Sequence, residues 1–168
     1  GTGAAKCGGN YAASMIAQTE GEKHGCKQVI FKDPHRGDAI EELGGMNVFF
    51  VFGKENKIVT PELTGTILEG VTRSSLIQLA KDRGMTVEER AITLTEWREG
   101  VANGDITEIF ACGTAAVVAP IGKLKAEDFE IPAPTEHFGE ISKSLREELV
   151  GIQTGVVEDR HGWLTRLI

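Results

Sequence analysis

The sequence predicts a mixed α/β fold, and three observations carry that expectation. Short apolar runs of strand length, such as Asn47–Gly53 and Ala115–Ile121, alternate with longer segments of helical periodicity. Several strand runs follow one another with only a turn between, which adds antiparallel neighbours to strands linked through helices. The 21 glycines are spread along the chain between short elements, and no segment is repetitive or low in complexity.

Taken in order, the first helix is expected from Asn10 to His24. Asn10 serves as N-cap, Ala12, Ala13, Met15, Ile16 and Ala17 form an apolar face, and Gly25 ends it. A strand over Gln28–Lys32 leads into the turn Asp33–Asp38, followed by strands at Ala39–Leu43, Asn47–Phe52 and Lys57–Thr60. Pro61–Gly70 is turn-rich and delivers the chain to a helix at Thr72–Arg83, capped by Thr72 and stopped by Gly84. Thr86–Ile92 reads as a strand and Thr93–Ala102 as a short helix. Ile106–Cys112 and Ala115–Pro120 are strands about a tight Gly113-Thr114 turn, and a last helix covers Gly139–Ile152.

At 168 residues the chain suffices for one domain with a real core, spanning residues 1–168. Hydrophobic residues make up 40% and charged residues 26%, ordinary globular usage that excludes disorder and fibrous repeats. A net charge of -7 speaks against nucleic acid or an anionic membrane as partner, and no apolar run approaches bilayer length. Cys7, Cys26 and Cys112 form no CxxC pair, so they support neither a disulfide scaffold nor a cysteine zinc site. With no visible signal peptide, a reducing cytoplasm is the simplest compartment. His24, His35, His137 and His161 lack metal-ligand spacing and read as surface residues, so no metal is expected. The opening Gly1-Thr2-Gly3, without an initiator Met, reads as the inside of a motif and suggests a processed or truncated product.

Lys6 stands between two small-residue runs, Gly1–Ala5 and Cys7–Gly9. Such neighbours leave space and backbone freedom around a long amine, which a Schiff-base lysine needs. On composition alone, a solvated lysine in an amino-terminal tail is the plainer reading. Glu41-Glu42 offers two carboxylates that alternate across a strand, so only one faces a given site. Val71-Thr72 opens a helix, where free amides and the dipole favour an anion without any basic side chain.

Residues 1–14, Gly-Thr-Gly-Ala-Ala-Lys-Cys-Gly-Gly-Asn-Tyr-Ala-Ala-Ser, resemble the lysine motif of branched-chain amino-acid aminotransferases, fold-type IV enzymes that use pyridoxal 5'-phosphate (PLP). The likeness continues through Glu41–Asn47, Thr60–Arg73 and Gly113–Ala115, in the family's order and across nearly the whole chain. It implies a mixed sheet curling towards an open barrel with flanking helices, as in the D-amino-acid aminotransferase-like PLP enzymes. The chain would be the carboxy-terminal, cofactor-binding domain, with the family's amino-terminal domain absent.

By this resemblance Lys6 bonds covalently to PLP and, once freed, shuttles a proton between substrate and cofactor. Tyr11, the chain's one tyrosine, donates to the cofactor's phenolate oxygen, and Glu42 pairs with the pyridine nitrogen. Val71, Thr72 and Thr114 bind the phosphate, while the Ala115 amide and the Gly45 backbone hold the substrate carboxylate. Ala116 and Ala119 stand where some relatives carry a redox CxxC, so thiol regulation of that kind is not expected. The implied reaction moves the amino group of Leu, Ile or Val to 2-oxoglutarate, giving glutamate, in a homodimeric parent. Other fold-type IV enzymes, a D-amino-acid aminotransferase or an aminodeoxychorismate lyase, are the alternative, as is a non-catalytic metabolite-binding domain.

Overall fold

The computed structural model describes residues 2–135 and 137–167; Gly1 of the opening motif lies outside the described residues. Among the described residues, four α-helices and nine strands run in the order α1 (Gly8–Lys23), β1 (Ile30–Lys32), β2 (Ile40–Leu43), β3 (Asn47–Phe52), β4 (Lys57–Thr60), α2 (Val71–Asp82), β5 (Thr86–Glu89), α3 (Leu94–Ala102), β6 (Ile106–Gly113), β7 (Val117–Pro120), β8 (Leu124–Lys125), β9 (Glu130–Ile131) and α4 (Glu140–Gln153), with one 3-10 turn at Gly53–Glu55. Five strands form the main sheet in the order β5-β4-β3-β6-β7, while β1-β2 and β8-β9 are separate antiparallel pairs. Only β4 and β5 pair in parallel, as a crossover through α2 requires; the other main-sheet pairs are antiparallel. The sheet is mixed, and the described strands form no closed barrel.

β3 is the centre of this arrangement because all six of its residues are apolar or satisfiable within a buried strand. Every one is buried, and the five apolar residues after Asn47 alternate between two core clusters. Phe49 and Val51 face Leu76, Leu79 and Ala80 of α2 and Leu145, Leu149 and Ile152 of α4. Val48, Phe50 and Phe52 face the other way, towards Trp97 of α3 and Ile40 and Leu43 of β2. Ring geometry reinforces both layers: Phe49 stacks on Phe110 at 5.1 Å, and Phe50 meets Trp97 edge-on at 5.2 Å.

Several expected boundaries move, each for a visible reason. α1 starts at Gly8, so Asn10 is not its N-cap. The Asn10 amide instead donates to the carbonyls of Thr2 and Ala5 and ties down the preceding loop. The expected apolar face of α1 buries nothing: Met15 and Ile16 are 65% and 80% exposed. β5 stops at Glu89 rather than Ile92, because the Ile92 carbonyl turns to accept from the Ile40 amide of β2. The β6–β7 turn occupies residues 114–116, and β7 begins at Val117 rather than Ala115, since Gly113 still pairs with Val117. The β8-β9 pair was not expected at all; two-residue strands carry no usable period.

α3 and α4 show how this chain closes a helix start. Thr93 accepts from the Glu96 amide, the hydroxyl half of a capping box. α4 begins after Gly139, which has no capping side chain, and the buried Glu108 of β6 replaces it. Its two carboxylate oxygens accept from the Ile141 and Ser142 amides at 2.9 and 2.8 Å, at the positive end of the helix dipole. All four histidines are exposed, and among the described residues no helix is long and apolar enough to cross a membrane.

Glu108→Ala leaves the buried Ser142 amide and the half-buried Ile141 amide without acceptors. We expect it to lower stability by about 1–3 kcal/mol in urea unfolding, the usual penalty for stranded buried donors. An unchanged midpoint would show that α4 does not need this carboxylate.

Candidate active site

One end of the main sheet collects the chemistry. β3 begins there at Asn47, β6 ends there beside it (Asn47 pairs with Cys112), and β4 and β5 end there side by side. Pro61–Gly70 leaves β4 at this end, crosses it as a strap, and enters α2. The strap has no regular structure of its own, so side chains from neighbouring elements hold it. Arg73 donates to the Pro61 carbonyl at 2.9 Å, and Arg36 pairs with Glu62 at 2.5 Å. The Thr66 hydroxyl donates to Glu41 at 2.5 Å, and the Asn47 amide donates to the Leu68 carbonyl at 2.9 Å.

Adjacent Glu41 and Glu42 of β2 part company on this strap, as strand alternation demands. Glu41 is consumed by Thr66. Glu42 receives only the Leu68 amide, and burial pushes its carboxyl up to about 7, with the Glu41 charge adding to the rise. No cation is paired with it among the described residues. It is a carboxyl group held near neutrality, and a positive charge placed opposite would return it to the ionised form.

α2 starts three residues beyond that contact. Its N-cap is Gly70, not Thr72, which corrects the expected cap: Thr72 already lies inside the first turn. Gly70 is required because its φ is +73° and a Cβ there would fall 2.2 Å from Asn47 Oδ1. No side chain caps this helix and no acidic residue stands in its first turn. The Val71 and Thr72 amides precede the first internal bond, from the Ser74 amide to the Gly70 carbonyl. Val71 is 83% exposed, so this end of α2 is open to solvent.

The β6–β7 turn closes the other side. Gly113 packs against Met46, so the exposed Thr114 and Ala115 sit beside the β2–β3 turn that carries Gly45. Val117 leaves this turn at φ +56°, a strained conformation for a β-branched residue. The amino-terminal segment reaches the same region through its backbone. The Ala4 amide donates to the Gly65 carbonyl, and Gly3 passes so close to Thr66 that a Cβ would lie 1.7 Å from its carbonyl oxygen. Lys6 is exposed and Tyr11 half-buried; neither side-chain head makes a hydrogen bond among the described residues.

Thus Glu42, Gly45, Val71, Thr72, Thr114 and Ala115 are gathered at one sheet end, whereas Lys6 and Tyr11 are brought to its strap only through the loop before α1. A small hollow of about 10 Å³ lies under the strap itself, lined by Asp33, Glu41, Pro61, Thr64 and Ile67, whereas the open groove along Met15 and Ile16 lies elsewhere, on α1. The sequence reading gave no role to Asn47 or Arg73, although both lie within the quoted motifs. A polar residue among apolar neighbours was the available signal, and only the fold shows what each one holds.

The strap thus brings a buried carboxyl group without a paired cation and an uncapped helix start to the same end of the sheet. The chain belongs to the amino-transferase class IV family, which matches residues 4–124. It is 52% identical to the branched-chain-amino-acid aminotransferase of Mycolicibacterium smegmatis over 169 residues, covering 99% of this chain and 46% of that protein. The Escherichia coli branched-chain amino acid aminotransferase superposes with a TM-score of 0.81 at 31% identity, over 97% of this chain and 49% of that one. The Thermobaculum terrenum enzyme, solved in its PLP form, gives 0.78 at 31% identity, over 98% and 49%. The chain therefore spans about half the length of the curated relatives it matches.

Glu42 links this site to pH. Its pKa is raised on folding, so the folded protein binds the extra proton between the ordinary 4.5 and about 7. Stability from that proton is present at low pH and is lost as pH rises through this window. Thermal melts of the ligand-free protein from about pH 5 to pH 8 should show a decline that Glu42→Gln flattens. Parallel curves for the two proteins would place Glu42 in water.

Proposed function

We propose that this chain is the PLP-binding half of a branched-chain amino-acid aminotransferase, one that moves the amino group of Leu, Ile or Val to 2-oxoglutarate in a cytoplasmic homodimer. The observation that carries the reading is the pairing of Glu42 with the uncapped start of α2 at one sheet end. A phosphorylated pyridine offers a cationic ring nitrogen to the first and a phosphate to the second, and the donor set fits both. The part of the relatives that this chain does not cover, read from the family resemblance as an amino-terminal domain, would complete the substrate pocket.

Bound PLP supplies an electron-withdrawing ring that stabilises negative charge at the substrate α-carbon. Lys6 would hold the cofactor through Nζ, and its free amine would serve as the base and acid that moves the substrate α-carbon proton. Tyr11 donates to the phenolate oxygen, which fixes the ring's tilt. Glu42 would keep the ring nitrogen protonated, and that cation would in turn lower the Glu42 pKa, so the two would be charged together. The amides of Val71 and Thr72, with the Thr72 and Thr114 hydroxyls, hold the phosphate. The Ala115 amide and the Gly45 backbone orient the substrate carboxylate.

Two variants of the full-length protein test this assignment. Lys6→Ala should fold normally yet lose transamination, and borohydride should no longer fix PLP onto the chain; normal turnover would end the proposal. Glu42→Gln should keep PLP but slow proton transfer, by about a hundredfold or more for loss of a positioned proton-holding group. Unchanged single-turnover rates with weaker PLP binding would make Glu42 a binding contact only.

A further inference from the structure

Arg73 is built into α2 in a way that helix stability does not explain. It is the third residue of the helix and only 2% exposed. A cation in a first turn adds to the positive end of the dipole, and this turn holds no acid to offset it. Its partners are few for a buried guanidinium. Nη2 donates to the Pro61 carbonyl and to Glu89, each at 2.9 Å, while Nε is buried without an acceptor among the described residues. Glu89 is itself 42% exposed, so water weakens its hold on the charge.

The charge is felt across this end of the sheet. It opposes the burial that pushes the Cys112 thiol of β6 up to about 12. The stem of Arg73 also packs against the N-cap, since a Cβ on Gly70 would lie 3.2 Å from Arg73 Cβ. A clamp between the exits of β4 and β5 needs only a neutral donor. An under-compensated cation beneath an uncapped helix start calls for an anion above it.

We propose that Arg73 is a positioning residue for the cofactor phosphate: it charges the first turn of α2 from within and fixes the Pro61 end of the strap. This rests on the reading of Val71 and Thr72 as the phosphate site. Arg73 does not touch the phosphate in this account; the amides do, and Arg73 sets their potential and place.

The test compares PLP with pyridoxal, which lacks the phosphate, by absorbance titration of the full-length protein. The wild type should prefer PLP strongly; equal affinities would remove the phosphate site itself, a failure of the underlying reading. Arg73→Met should weaken PLP by about tenfold more than it weakens pyridoxal, the order expected for a charge acting across several ångströms of protein. Arg73→Lys, which restores charge without the fork, should recover part of the loss. Equal weakening of both ligands would overturn the proposal and leave Arg73 a structural clamp. Glu89→Gln spares the buried guanidinium and removes the charge that offsets it. It should widen the PLP preference, and an unchanged or narrower preference would overturn the proposal as well.

Discussion

The fastening of the Pro61–Gly70 strap is the constraint on which the rest of the site depends. Ten residues without regular structure cross the sheet end, and backbone polar groups there need partners as much as those in helices do. Asn47 supplies one partner from β3 and Arg73 another from α2, while Glu41 takes the Thr66 hydroxyl. With the strap fixed, the Leu68 amide faces Glu42 and Gly70 opens α2 beside Asn47. The distance between the carboxyl group and the helix start is then set by a buried hydrogen-bond network rather than by a loop's average position.

The treatment of helix starts follows from that arrangement. At α3 and α4 a side chain takes the orphan amides, Thr93 in the one and the buried Glu108 in the other, whereas α1, like α2, starts without a capping side chain. At α2 it presents a glycine, no acid and a buried cation. Stability alone favours the reverse choice, a hydroxyl or carboxylate at the cap. An anion held at that end would compensate all three features at once.

How much of this the sequence disclosed depends on the element. β3 and β4 were legible to the residue, because a run of Val, Ile and Phe bounded by glycine and asparagine has few other fates. The two cores were not, since a strand buried on both faces reads as a continuous apolar run in which the alternation is lost. α1 misled for the opposite reason: its small and apolar residues suggest a buried face, yet among the described residues none of the helix is fully buried. The site residues were nameable through the family's motifs, yet their supports were not. Glu108 stands among strand residues and Asn47 ends a turn, and neither position marks a long-range contact in sequence. Thr72 looked like a cap because threonine usually is one; the positive φ of Gly70 claimed that place instead.

The central claim is that one sheet end holds both ends of PLP, with Glu42 at the ring nitrogen and the start of α2 at the phosphate. A crystal structure of the full-length protein with PLP tests it most directly. The account predicts a Glu42 oxygen about 2.7–2.9 Å from the ring nitrogen and the phosphate on the Val71 and Thr72 amides. A phosphate bound away from α2, or a Glu42 carboxylate turned to water while PLP is bound, would contradict it.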